Sequence, residues 1–130
     1  MPVGYVWIST RAALAIHAEQ LAEHGGALGV RDTGALDSAM MRPRHLLDYG
    51  QPDIATLAAA YAYGIARSHP FVDGNKRTAA VVAETFLVLN GHELRASDAE
   101  LVVAIMALAA GELSQDELAG WFRERVGRGD

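Results

Sequence analysis

Apolar residues recur along this chain at helical spacing, and no long run alternates apolar with polar residues as a half-buried strand would. Caps and breakers divide the pattern into six expected helices. The first runs from Ser9 or Thr10 to His24, with Leu14, Ala15, Ala18, Leu21 and Ala22 on one stripe, and Gly25 and Gly26 end it. Tyr5 to Ile8 reads as a short extended lead-in. Asp32 or Thr33 caps a second, shorter helix carrying Leu36, Ala39 and Met40. Pro43 is expected to stop it, which leaves Arg42 to Pro52 as loop. Asp53 opens an alanine-rich third helix with Ile54, Leu57, Tyr61 and Ile65. That helix must finish near Ser68, because Pro70 disfavours helical geometry at His69.

The fourth helix, from about Asn75 to Asn90, contains AAVVAETFLVL, apolar on nearly every side with Glu84 as its only charge. Such a pattern marks a surrounded helix. Asn90-Gly91 closes it, and two capping boxes, Ser97 with Glu100 and Ser114 with Glu117, each open another helix. The reading is a single all-α domain over residues 1–130, a compact bundle of about six helices around a central buried helix.

Composition narrows the function classes. With 130 residues, 51% hydrophobic and 21% charged, the chain has enough apolar surface for one core and too little net charge for disorder. A net charge of −5 argues against nucleic-acid binding. The absence of cysteine removes disulfides and thiolate metal sites and fits a reducing cytoplasm. No signal-peptide pattern opens the chain and no uninterrupted apolar run approaches membrane length, so a soluble, unprocessed protein is expected.

The chemistry concentrates between the third and fourth helices, in His69-Pro-Phe-Val-Asp-Gly-Asn-Lys-Arg-Thr78. One imidazole, one carboxylate, one amide and two cations stand at the start of a buried helix, where free N–H groups and the positive dipole end attract anions. Phosphate suits this set: Gly74 lets the backbone approach, Asn75 can donate, Lys76 is a point charge and Arg77 offers a fork. Thr78 completes the phosphate-binding group. Asp73 is the single carboxylate that Mg²⁺ needs when phosphates and waters fill the rest of its shell, although it could equally cap the helix. His69 is the one candidate general base.

Two other phosphate or metal chemistries lack their motifs: there is no G-x-x-x-x-G-K-[ST] and no H-E-x-x-H. A histidine at a helix end ordinarily satisfies carbonyls, and cations at a helix start ordinarily face solvent; here the dipole disfavours cations unless an anion is present. His17, His24, His45 and His92 have no comparable neighbours and read as surface residues. Arg31, Asp32, Arg42 and Arg44 flank loops that could clamp a target peptide or form a salt-bridged surface and are left out of the site, and Trp7, Phe71, Trp121 and Phe122 read as packing.

HPFVDGNKRTA resembles the signature H-x-F-x-[DE]-[GA]-N-[GK]-R of the Fic/Doc family, and GVRDTGALDSAMMRP at 29–43 resembles the segment that death-on-curing members carry ahead of it. The resemblance implies an all-α Fic/Doc fold. Lys76 bears on the chemistry, because AMP-transferring members have glycine there, leaving an anion hole for the β- and γ-phosphates. A lysine fills that hole. By resemblance to the death-on-curing branch, the nucleotide is then inverted and the γ-phosphate of ATP passes to a threonine of elongation factor Tu. Gly74 is shared with the AMP-transferring form, so Lys76 carries the branch assignment.

The implied roles are His69 as base, Asp73 as Mg²⁺ ligand or loop support, and Asn75, Lys76 and Arg77 as stabilisers of the moving phosphate. No serine or threonine precedes glutamate in the inhibitory pattern [ST]-x-x-x-E-[GN]. Restraint is therefore expected from a second chain, a Phd-like antitoxin whose helix lies in an apolar groove.

Overall fold

A computed structural model describes residues 4–129. Six helices follow in order: α1 (Thr10–His24), α2 (Thr33–Leu47), α3 (Ile54–Ser68), α4 (Asn75–Leu89), α5 (Asp98–Ala109) and α6 (Gln115–Arg125). Five starts carry a capping side chain: Ser9, Asp32, Asp53, Ser97 and Ser114 each accept a backbone N–H from the first turn. Both expected capping boxes form. At α3 the Arg123 guanidinium also bonds Asp53, holding that carboxyl well below its ordinary range. None of the described helices is long and apolar enough to cross a membrane.

The bundle is organised around α3, which packs against α2, α4, α5 and α6. Ten of its fifteen residues are buried, against seven of fifteen in α4. The sequence pattern pointed to α4 as the surrounded helix, but α4 leaves Val88 and Leu89 in solvent while alanines let neighbours close around α3. Small side chains hide how thoroughly a helix is surrounded. Tyr61 of α3 is fully buried and its hydroxyl accepts the Ile8 N–H at 2.9 Å, which pins the N-terminal segment to the core. Burial pushes the Tyr61 phenol up from its ordinary pKa. Asn90 fastens the same segment by accepting from Val6 N–H and donating to Val6 O.

Two local expectations are corrected. Pro43 lies inside α2, which continues to Leu47, so Arg42 to Leu47 is helix where loop was expected. A mid-helix proline costs about 3 kcal/mol by removing a hydrogen bond and crowding the preceding turn. Here Leu36, Ala39, Met40 and Pro43 form one buried stripe, with Leu46 packed beside it, and that apolar contact offsets the cost. In α1 the buried stripe is Ala13, His17 and Leu21; Leu14, Ala15, Ala18 and Ala22 are exposed. Alanines occur on every side of α1 and mark no face, and the polar His17 masked the true one. The sheet content is a short antiparallel ribbon of β1 (His92–Leu94) and β2 (Val126–Arg128), pairing His92 with Arg128 and Leu94 with Val126. Strands of three residues carry no readable alternation.

Candidate active site

α3 ends at Ser68, and His69 takes a left-handed conformation with φ 50° and ψ 59°. It is the only non-glycine residue at positive φ among the described residues. Such geometry costs of order 1–3 kcal/mol outside glycine and persists only where the surroundings enforce it. The enforcing contacts come from the segment ahead of α2. Arg31 donates from Nε to His69 O and from Nη2 to Ser68 O, both at 2.7 Å. The N–H groups of Arg31 and Asp32 both donate to Pro70 O, at 2.7 and 3.0 Å, and Val72 N–H donates to Gly29 O at 3.0 Å. A bridge between Val30 and Phe71 completes the clamp.

The loop is tied from two further sides. The buried His17 ring stacks on Phe71, centroids 3.8 Å apart and 7° from parallel, and its Nε2 donates to Asp73 O at 2.8 Å. His17 is thus no surface residue. Asp73 accepts Gly74 N–H on Oδ1 at 2.9 Å and Ala27 N–H on Oδ2 at 3.2 Å, which joins the loop to the Gly25–Ala27 turn. A Cβ on Gly26, whose φ is 128°, would stand 2.9 Å from Asp73 Oδ2. Only glycine fits that approach.

Gly74, at φ 78° and ψ 17°, then turns the chain into α4. α4 has neither a capping side chain nor an acidic residue in its first turn, unlike α5 and α6, which have both. Its start faces an open cavity of about 640 Å³. His69, Asp73, Gly74, Asn75, Lys76 and Arg77 line one side, and His24, Gly25 and Gly26 the other. Lys76 and Arg77 are exposed, and among the described residues no carboxylate lies within 4 Å of either. Arg77 Nη1 lies 3.4 Å from His24 Nε2.

The structure brings six of the seven expected site residues to this cavity. Thr78 is the exception: it is fully buried on the inner face of α4, its Oγ1 has no hydrogen-bond partner, and it does not reach the cavity. Asn75 and Thr78 stand on roughly one face of α4, but Thr78 lies a turn further from the helix start, where that face is buried. Asn75 faces the cavity but spends its amide on the loop, accepting Phe71 N–H and donating to Phe71 O, both at 2.9 Å, with one Nδ2 hydrogen left over. Asp73 supports the loop and does not cap α4, whose N-cap is Gly74. No group of three or more potential metal ligands gathers among the described residues, so any divalent ion here depends on Asp73 and on oxygens brought by the substrate.

Sequence reasoning missed His17, His24 and Arg31. The spacing of Ala13, His17 and Leu21 held a signal for His17, since the three stand one turn apart. Nothing in the sequence distinguishes Arg31 from other surface arginines, because its partners are backbone carbonyls.

The bundle thus brings one uncapped helix start, two cations and a strained histidine to one cavity, a setting that attracts anions. The chain belongs to the Fic/DOC family, whose model matches residues 7–87. It is similar to Toxin Doc of Mycolicibacterium smegmatis, 49% identical over 75 residues, a stretch covering 55% of this chain and 57% of that protein. It is also similar to Protein kinase doc of Escherichia phage P1, 32% identical over 121 residues, covering 92% of this chain and 95% of the phage protein.

Proposed function

We propose that this protein is the toxin of a type II toxin–antitoxin pair and transfers the γ-phosphate of ATP to a hydroxyl of a translation factor such as elongation factor Tu, with threonine the expected acceptor. One observation carries the reading: among the described residues, the only uncapped helix start faces the cavity that also holds His69 and two cations without carboxylate partners. Free N–H groups, Lys76 and Arg77 then bind the phosphates and stabilise charge as it moves. The name of the phage P1 relative, a protein kinase, supports the reaction type.

In the reaction, His69 takes the proton of the acceptor hydroxyl as its oxygen bonds to the γ-phosphorus. The bond from that phosphorus to the β–γ bridging oxygen breaks, and ADP leaves with the electron pair. Asp73 would hold Mg²⁺, which neutralises phosphate charge when bound. ATP and elongation factor together put the reaction in the cytoplasm. A Phd-like antitoxin helix would restrain it on an apolar face, and the cleft lined by Val103, Ala107, Leu113 and Trp121 offers one such face.

Nucleotidyl transfer is the second reading, favoured by glycine at position 74. ATP labelled at the α- or γ-phosphate, incubated with the protein and elongation factor Tu, separates the two. Label from the γ position is expected in the target, and His69→Ala should abolish it. Label from the α position would assign nucleotidyl transfer, and no label from either would leave a binding module.

A further inference from the structure

We propose that Arg31 is a positioning residue for His69, a latch that aims the imidazole through the backbone. The inference rests on the reading of His69 as the base. A catalytic base is ordinarily oriented by a third group bonded to its ring. Among the described residues no hydrogen bond reaches the His69 ring, so the backbone, which sets the Cα–Cβ direction from which the ring's rotamers depart, is where it can be aimed.

Those angles are unusual for the position. A residue before proline prefers extended geometry, and moving φ from 50° to the extended value of about −120° would turn the Cα–Cβ bond about the N–Cα axis by roughly 170° relative to α3. Arg31 opposes this relaxation with its guanidinium fork, which holds two successive carbonyls, Ser68 O and His69 O, at 2.7 Å each. Two donors on one planar group fix the direction of both peptides, which a single point donor cannot do. The same residue's N–H holds Pro70 O at 2.7 Å, so Arg31 grips the chain on both sides of the His69–Pro70 bond. The guanidinium also sits at the C-terminal end of α3, where a cation is favoured and free carbonyls need donors.

The test uses the full chain with ATP and elongation factor Tu as substrates, and variants Arg31→Lys, Arg31→Gln and Arg31→Ala. The expected result is a fall in kcat of about 10- to 100-fold, the scale of a misplaced reacting group, with KM for ATP held within about threefold. Guanidinium ion at millimolar concentration should restore part of the kcat of Arg31→Ala, whereas Arg31→Lys, keeping the charge but losing the fork, should stay slow. Carbon chemical shifts of His69 Cα and Cβ should leave left-handed values in Arg31→Gln while helix content by circular dichroism stays the same. Unchanged His69 shifts, an unchanged kcat, or equal losses in kcat/KM and fold without rescue would each overturn the latch. If His69→Ala kept full turnover, the base assignment would fall, and the His69 shifts in Arg31→Gln would still decide whether Arg31 sets that residue's geometry.

Discussion

Replacing Gly64 with alanine sets two effects of similar size against each other. Gly64 is a buried residue inside α3, and by helix propensity alone the change should stabilise the protein by about 1 kcal/mol. The structure predicts the opposite sign. A Cβ there would stand 2.9 Å from both Cα and Cβ of Ala39 in α2, and 3.3 Å from Ala39 O. Carbon pairs rest at roughly 3.5–4.0 Å, so the contact is short by about 0.6 Å or more, and a backbone atom cannot rotate away. α2 would have to lift from α3 along the stripe of Leu36, Met40 and Pro43. Overpacking of this kind costs about 1–3 kcal/mol, which against the propensity gain leaves a net loss of roughly 1 kcal/mol. In a domain of this size that is a fall in Tm of about 3–6 °C. Guanidinium denaturation followed at 222 nm measures it, and adding Ala39→Gly should recover part of the loss in a double-mutant cycle. Equal or greater stability of Gly64→Ala alone would refute the reasoning, because helix propensity would then have won over contact.

Two further outcomes follow from polar groups wholly or partly withdrawn from water. Thr78→Val removes an unpartnered buried hydroxyl and keeps the shape, so stability should rise by about 1 kcal/mol with phosphate transfer unchanged; slower transfer would return Thr78 to the site. Burial, then the charge of Asp98, raises the pKa of Glu84 above its ordinary 4.5, so the folded state holds that proton more tightly than the unfolded chain does. The penalty of the ionised form is therefore present above the folded pKa and gone below 4.5. Glu84→Gln should accordingly be more stable than the parent at pH 7, with the gain vanishing as pH falls below 4.5, and a gain that persists in acid would exclude the ionisation as its cause.

Much of the site was legible because it is contiguous. His69, Asp73, Gly74, Asn75, Lys76 and Arg77 stand within nine residues, and the helix-breaking effect of Pro70 put His69 at a helix end before any contact was known. Caps were equally readable, since Ser9, Asp32, Asp53, Ser97 and Ser114 act on N–H groups only three residues away. Pro43 misled because its local rule is real but weaker than the stripe it belongs to. Asn75 and Thr78 were assigned by chemical type, and the fold gave Asn75 to the loop and Thr78 to the core.

The sequence by itself determined which helices form, where most of them end and which ten-residue stretch, 69–78, supplies most of the polar groups at the cavity, because those depend on neighbours a few positions apart. Only the tertiary structure decided which of those residues face the cavity, that α3 is the most enclosed helix, and that His17 and Arg31 hold the loop from 56 and 38 residues away. The physical reason lies in the partners. A buried ring against Phe71 and a guanidinium on bare carbonyls bond to groups that every residue carries, so no residue type along the chain announces where they will meet.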